Sequence, residues 1–467
     1  MKMWSGRFRQ PLDPDFEHWQ RSFGFDKRLL HYELAASGTH ARALKNAGVV
    51  SADELIGLLQ GLEQIGEKAA ASSAFLDDAE AEDVHHFVEK QLVALRGELG
   101  YKLHSGRSRN EQIATDLRLY VRAAIDQLRH EISELCGAFA DRAELAGNAA
   151  MPAYTHLQKA EPVLVGHWLL AYVEMFLRDA DRLADCRKRL NGCPLGSGAV
   201  AGATHSLDRG FMADNLGFDG PTSNSIDATS DRDFALEFVN CLSLLALHLS
   251  RWAEEMILFS SNEYGFIGLP EAYATGSSAM PQKKNPDLLE LVRGKSGRVL
   301  GNAVALMVTV KGLPLAYNKD LQETQEPLFA AADTLLHMLP LVTGFMKAVE
   351  FHEEKMLQAE QTGFMNAWAA ATYLVQRGVP SRLAHERIGK AVQMCLERRC
   401  ELQDLPLGDL QELSPAFAQD FYEALKLASV LAIHDVPGGT APGPVRQAIA
   451  ATRNKISSLR EEVHAHA

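Results

Sequence analysis

The chain has 467 residues, 46% of them hydrophobic and 23% charged, the composition of a soluble globular protein with ample apolar material for large cores. Its formal net charge of −13 argues against a nucleic-acid partner, because phosphate binding needs a basic face. An anionic ligand must therefore be drawn in by a local basic site.

In chain order, the N-terminal stretch carries the aromatics Trp4, Phe8, Phe16, Trp19 and Phe23 and reads as an irregular arm that packs down. A helix is expected from Asp26 to Ala47, stopped by Gly48. Ser51-Ala52-Asp53-Glu54 is a capping box that opens a second helix. Residues 77–83 form an acidic connector, and a third helix covers 82–96 and ends near Gly97. The polar segment 104–110 carries Arg107 and Arg109 and starts a long helix reaching to Asn148. Its apolar positions Ile113, Leu117, Tyr120, Ala124, Leu128, Ile132, Leu135 and Phe139 recur at three- and four-residue steps. Similar long patterns cover 162–191, 227–261, 286–311 and 320–350, and five such segments imply a bundle. The runs 242–247 and 303–308 are too apolar for the surface of a monomer, which points to interior or subunit-interface helices.

Beyond 355 the helices are shorter, with breaks at Gly363, Gly378-Val379-Pro380, Leu405-Pro406-Leu407-Gly408 and Pro437-Gly438-Gly439. No region alternates as a strand should, so the fold is expected to be all-α. It divides into an N-terminal helical domain (1–107), a central long-helix bundle (108–355) and a C-terminal helical domain (356–467). Three loops interrupt the helices: 149–161, the glycine-rich 192–210 and 262–285. The second lacks the G-x-G-x-x-G spacing of a dinucleotide site.

Six cysteines, none in a Cys-x-x-Cys pair, suit reduced and mostly buried thiols. No zinc-ligand spacing occurs, and the neighbours His85 and His86 point to different sides of a helix, so no metal is expected. The charged N-terminus is unlike a signal peptide, and no apolar run reaches the ~18 residues of a membrane span. A cytoplasmic protein without a membrane partner is expected.

The most informative stretch is Thr275-Gly276-Ser277-Ser278-Ala279-Met280-Pro281-Gln282-Lys283-Lys284-Asn285-Pro286-Asp287. Gly276 gives the backbone freedom, two hydroxyls follow, and Asn285-Pro286-Asp287 has the order N-cap, first helical residue, acidic first turn. A serine, two lysines and a helix N-terminus would then converge, which suits holding a carboxylate while a proton moves.

This run resembles the signature of the aspartase/fumarase superfamily, whose members release fumarate from succinyl compounds, and within it the chain is similar to the argininosuccinate lyases. Further matches are Trp4-Ser5-Gly6-Arg7-Phe8, Ala81-Glu82-Asp83-Val84-His85, His104-Ser105-Gly106-Arg107-Ser108-Arg109-Asn110, Met151-Pro152-Ala153-Tyr154-Thr155-His156-Leu157-Gln158, Ser230-Asp231-Arg232-Asp233 and the segment from Gly312 to Gln322. The resemblance implies cleavage of argininosuccinate to fumarate and arginine with no cofactor, in a homotetramer whose sites are shared between subunits. Such chemistry removes a weakly acidic proton beside a carboxylate, neutralises the dianion that builds there, and protonates the departing nitrogen.

By the same resemblance Ser277 is the base, Lys283 neutralises the dianion, and His156, oriented by Glu290, is the acid or relay; the reverse assignment of Ser277 and His156 stays open. A histidine titrates near neutrality, as proton transfer there requires. Ser22, Asn110, Thr155, Asn285, Tyr317 and Gln322 match substrate contacts. One departure stands out: Gln325 occupies a place where the family usually has a lysine that meets a substrate carboxylate. If Gln325 faces that carboxylate, restoring the lysine lowers KM; if Lys319 already fills the role, it does not. The alternatives are a sister lyase on another fumarate-yielding substrate and a catalytically silent crystallin-like homologue.

Overall fold

The computed structural model describes residues 10–466. The Trp4–Phe8 motif lies outside them. Helix accounts for 68% of the chain and the strands are short, so the class is all-α. After short helical turns at Phe23–Asp26 and Lys27–Leu29 come α1 (Leu30–Asn46), α2 (Ala52–Ala71) and α3 (Val84–Arg96). The expected caps form. Ser51 Oγ accepts from Glu54 N at 3.2 Å, and Ser51 N donates to Glu54 Oε2 at 2.8 Å. Asp83 caps α3, and Gly97 ends it at φ 62°. Phe23 is buried, but Phe16 and Trp19 are 46% and 81% exposed, so this part of the expected arm does not pack down within the chain.

Five long helices follow: α4 (Arg109–Leu145), α5 (Val165–Leu190), α6 (Asp233–Ser260), α7 (Asp287–Val310) and α8 (Gln325–Ala348). The C-terminal helices include the shorter α9 (Glu353–Glu360), α10 (Ala367–Gln376) and α11 (Ser381–Arg398), but also α12 (Pro442–His466), whose 25 residues match the long helices and correct the expectation that all helices beyond 355 are short. Two strand pairs matter for the site. β1 (Ala150–Thr155) and β2 (Gln158–Leu164) form an antiparallel hairpin, and β3 (Thr275–Gly276) pairs antiparallel with β4 (Lys284–Asn285). The loop expected at 149–161 is therefore a β-hairpin.

The chain forms two compact units, one of residues up to 127, 182–243 and 298–333, the other of 128–181, 244–297 and 334 onward. In the first, Tyr120 of α4 packs edge-on against Tyr32 of α1 and Phe329 of α8, with centroids 6.2 and 4.9 Å apart. In the second, Phe139, Phe176, Trp252 and Phe345 join α4, α5, α6 and α8 in one fully buried aromatic cluster. There α7 is tied to α6 by Ser296 Oγ, which donates to Ala246 O at 2.8 Å. The five long helices thus share a core, as a bundle requires. In the same unit the C-terminal helices have their own core around Leu374, Ile388, Phe417 and Phe421.

Two segments, Asp233–Ser260 and Lys319–Ala348, are long and apolar enough to cross a membrane by composition, which amends the expectation that no such run exists. About half of each, 50% and 56% of the apolar window, is buried inside the chain, as in core helices.

Candidate active site

The hairpin carrying His156 is held at its base and bare at its tip. Ala150 and Leu164 pack with Leu431 and Val445, and Leu164 N donates to Thr440 Oγ1 at 2.8 Å. Thr155 pairs with Gln158, so His156 and Leu157 are a two-residue turn. Their φ values, 55° and 56°, put both in the left-handed region, the geometry of a type I′ turn. Asparagine and glycine are the usual occupants, and a histidine and a leucine there are strained. Thr155, His156 and Leu157 are all exposed.

The second element is the loop between β3 and β4. Gly276 pairs with Lys284, so Ser277 and Lys283 are the first residues beyond the last strand pair and flank the mouth of the loop. Ser277 Oγ accepts from Ala279 N at 3.3 Å and Met280 N at 3.1 Å. Two amide donors thus already point at the oxygen that would carry negative charge as a base. Ser277 is half-buried and Lys283 is exposed.

The expected N-cap is displaced by one residue. α7 begins at Asp287, and the first helical acceptor is Pro286 O, bonded by Glu290 N at 3.1 Å. Asn285 belongs to β4 and turns its amide back to Thr275 Oγ1 and Gly276 O, at 3.4 and 3.3 Å, which braces the loop. Thr275 Oγ1 in turn donates to Asp287 Oδ2 at 2.5 Å. Glu290 is exposed in the first turn of α7. Among the described residues no hydrogen bond or ion pair of the chain joins His156 to Ser277, Lys283 or Glu290. Two cavities of this unit, of about 660 and 450 Å³, include neither Ser277 nor His156 in their linings.

The first unit collects the other set. Ser22 Oγ donates to Asp26 Oδ2 at 2.6 Å, and Gln322 Nε2 donates to Gln20 O at 3.1 Å; both side chains are buried. Asn110 and Tyr317 are half-buried. Arg109, the first residue of α4, pairs with Asp83 at 3.1 Å and Glu82 at 3.3 Å, and Lys319 lies 3.6 Å from the same Glu82 oxygen. Burial and the Asp83 charge push Asp26 up to about 7.

Three residues not singled out from the sequence stand here. Asp26 holds Ser22. Glu82 is shared by Arg109 and Lys319. Arg232 is 1% exposed with Nε and Nη2 unpartnered, and burial lowers its pKa to about 10 against the opposing influence of Tyr317. The motif Ser230-Asp231-Arg232-Asp233 was the available signal for Arg232. Gln325 opens α8 at 2% exposure, with its side-chain oxygen unpartnered.

Glu33, His85 and Asp116 bring metal-ligand atoms within 4.8 Å of one another. Cations of the chain already answer their charge, since Arg107 lies 3.9 Å from Glu33 and His85 Nε2 faces both carboxylates as a donor.

Residues 6–301 match the family described as lyase, and residues 364–432 match the argininosuccinate lyase C-terminal family. The chain is 60% identical to the argininosuccinate lyase of Koribacter versatilis over 467 residues, covering 100% of both chains. It belongs to the argininosuccinate lyase family. The enzyme of that name from Acidobacterium capsulatum is 57% identical over 98% of this chain and 96% of its own length. Among solved structures, an EDDS lyase in complex with formate superposes with a TM-score of 0.84 at 26% identity, covering 98% of this chain and 92% of its own. The argininosuccinate lyase family resemblance thus extends to the C-terminal helices, whose core the signature loops do not touch.

Proposed function

We propose that the chain cleaves argininosuccinate to fumarate and L-arginine by β-elimination, a step of arginine biosynthesis. The observation that carries this is the 60% identity across the whole of both chains. In this reading Ser277 removes the proton from the carbon beside the reacting carboxylate. The two amide donors of Ala279 and Met280 favour the ionised form of its oxygen, so the alkoxide that takes the proton is stabilised without rearrangement. Lys283, at the other side of the loop mouth, neutralises the dianion of the intermediate. The C–N bond then breaks and its electrons leave on the guanidino nitrogen. That nitrogen must take a proton because free guanidine is a very strong base, and His156, oriented by Glu290, supplies it. Ser22, Asn110, Thr155, Asn285, Tyr317 and Gln322 bind the substrate.

The reading includes a cytoplasmic homotetramer with sites shared between subunits, built on domains 1–107, 108–355 and 356–467. What supports sharing is the exposure of His156, Lys283 and Glu290 in one chain, and of Val304 and Val308 on α7 at 60% and 61%. Adding argininosuccinate to the purified protein and following the ultraviolet absorbance of fumarate tests the activity. No fumarate from an oligomeric, folded preparation would overturn it.

A further inference from the structure

The buried charges beneath the substrate-binding residues of the first unit form one connected set. His85 Nε2 lies 3.0 Å from Asp116 Oδ2 and 3.6 Å from Glu33 Oε2, while Nδ1 lies 3.9 Å from Asp83 Oδ1. All four residues are at most 5% exposed. Nε2 meets Asp116 at hydrogen-bond distance, while Nδ1 has no hydrogen-bond partner and faces Asp83 only at ion-pair range, so three carboxyl groups surround the ring. Burial alone would strip the proton from it, but Glu33, Asp116 and Asp83 together outweigh burial and lift its pKa to about 9. Also facing this set are Arg107 and Arg109 from the 104–110 segment, His104, His86 and Glu89 of α3, and Asp26 from the turn before α1.

Asp83 connects this set to the candidate site. One oxygen caps α3 by accepting from His86 N at 2.8 Å, and the other holds Arg109 at 3.1 Å. Arg109 is the first residue of α4 and Asn110 the second; Ser108 and Glu111 cap the helix, and Asp83 holds the Arg109 side chain beside Asn110. Glu82, Arg109 and Lys319 continue the same chain of charges outward.

We propose that His85 is a positioning residue for substrate binding: clamped between Asp116 and Glu33, it holds Asp83, and through Asp83 it holds Arg109 and Asn110. This rests on the lyase reading above. Without the imidazolium, Glu33 and Asp83 face Asp116, whose pKa is held up at about 8 by burial and the Glu33 charge, in a desolvated space, and Arg109 is the remaining ion-pair partner of Asp83. The cap then shifts, and the loss falls on ground-state binding more than on the proton-transfer step.

Steady-state kinetics of the full-length enzyme test it. With His85→Gln, KM for argininosuccinate should rise about tenfold while kcat stays within about threefold. In the wild type, KM should be flat through neutrality and rise as pH passes about 9, because a histidine whose folded pKa is raised contributes below its unfolded value and loses that contribution as the folded pKa is crossed. Glu33→Gln keeps the ring and removes the largest charge supporting it, so the KM rise should begin about one pH unit lower or more. An unchanged KM in His85→Gln, or an unshifted profile in Glu33→Gln, overturns the proposal. The profile alone decides should His85→Gln not fold. A wild-type enzyme that releases no fumarate instead removes the functional reading, and this proposal with it.

Discussion

Ser277 and His156 differ in how firmly the chain holds them. Ser277 Oγ is fixed by two amide donors, whereas His156 stands at an exposed turn. Removing either side chain leaves the buried core untouched, so the loss should be chemical. Ser277→Ala and His156→Asn should each lower kcat by at least about 100-fold with unchanged helicity by circular dichroism. Asparagine also suits the left-handed backbone at 156, so the second variant should be no less stable than the parent. Turnover near that of the parent in either variant would remove that residue from the chemistry. Gln325 calls for a different expectation. At 2% exposure a lysine there would bury an ammonium, while Lys319 already lies at the Glu82 carboxylate with half its side chain in solvent. Gln325→Lys should therefore leave KM unchanged or raised and lower stability by about 1–3 kcal/mol, read from kinetics and urea melts. A lowered KM would show that position 325 reaches a substrate carboxylate after all.

At the scale of elements, the loop of Ser277 depends on what lies before it. Tyr273, two residues ahead of β3, packs its hydroxyl against Gly344 of α8 so closely that a Cβ at 344 would run into it. The Tyr273 ring also lies edge-on to Phe345, 6.0 Å away. Gly344→Ala should push Tyr273 off α8, destabilise the fold by about 1–3 kcal/mol as overpacking does, and lower kcat by loosening Thr275 and Ser277. A stable variant with the parent kcat would show that the loop does not lean on this contact. Much at this scale was legible in the chain. Ser51 with Glu54, the stop at Gly48 and Gly97, and the three- and four-residue steps of α4 each report a local rule that the fold obeys. The hairpin at 150–164 was not. Pro152 faces Pro162 at a bulge, which breaks the alternation, and the turn is His-Leu where Asn-Gly would have announced it. Asn285 misled for a related reason. Its cap signature is local, but the pairing of β4 with β3 takes its amide for the loop.

For the whole molecule, spacing alone could not have joined the candidate site, because its members come from segments as far apart as Ser22 and Gln322. Only the resemblance to known lyases grouped them. Shared sites make a sharp prediction. Ser277→Ala and His156→Asn, each inactive, should recover a measurable part of the parental activity when unfolded and refolded together, because mixed assemblies contain some sites that draw an intact residue from each parent. Mixed oligomers shown by mass spectrometry to contain both variants, yet inactive, would contradict sharing.

The turn at 156–157 also bears on how this enzyme can be improved. The chain carries a histidine and a leucine where backbone energetics favour asparagine and glycine. A laboratory selection that rewards heat resistance alone would rewrite those two positions early and discard the proton donor proposed here. Thermostable variants should therefore be sought with positions 156 and 157 held constant, since stability gained there comes at the expense of the proposed proton donor.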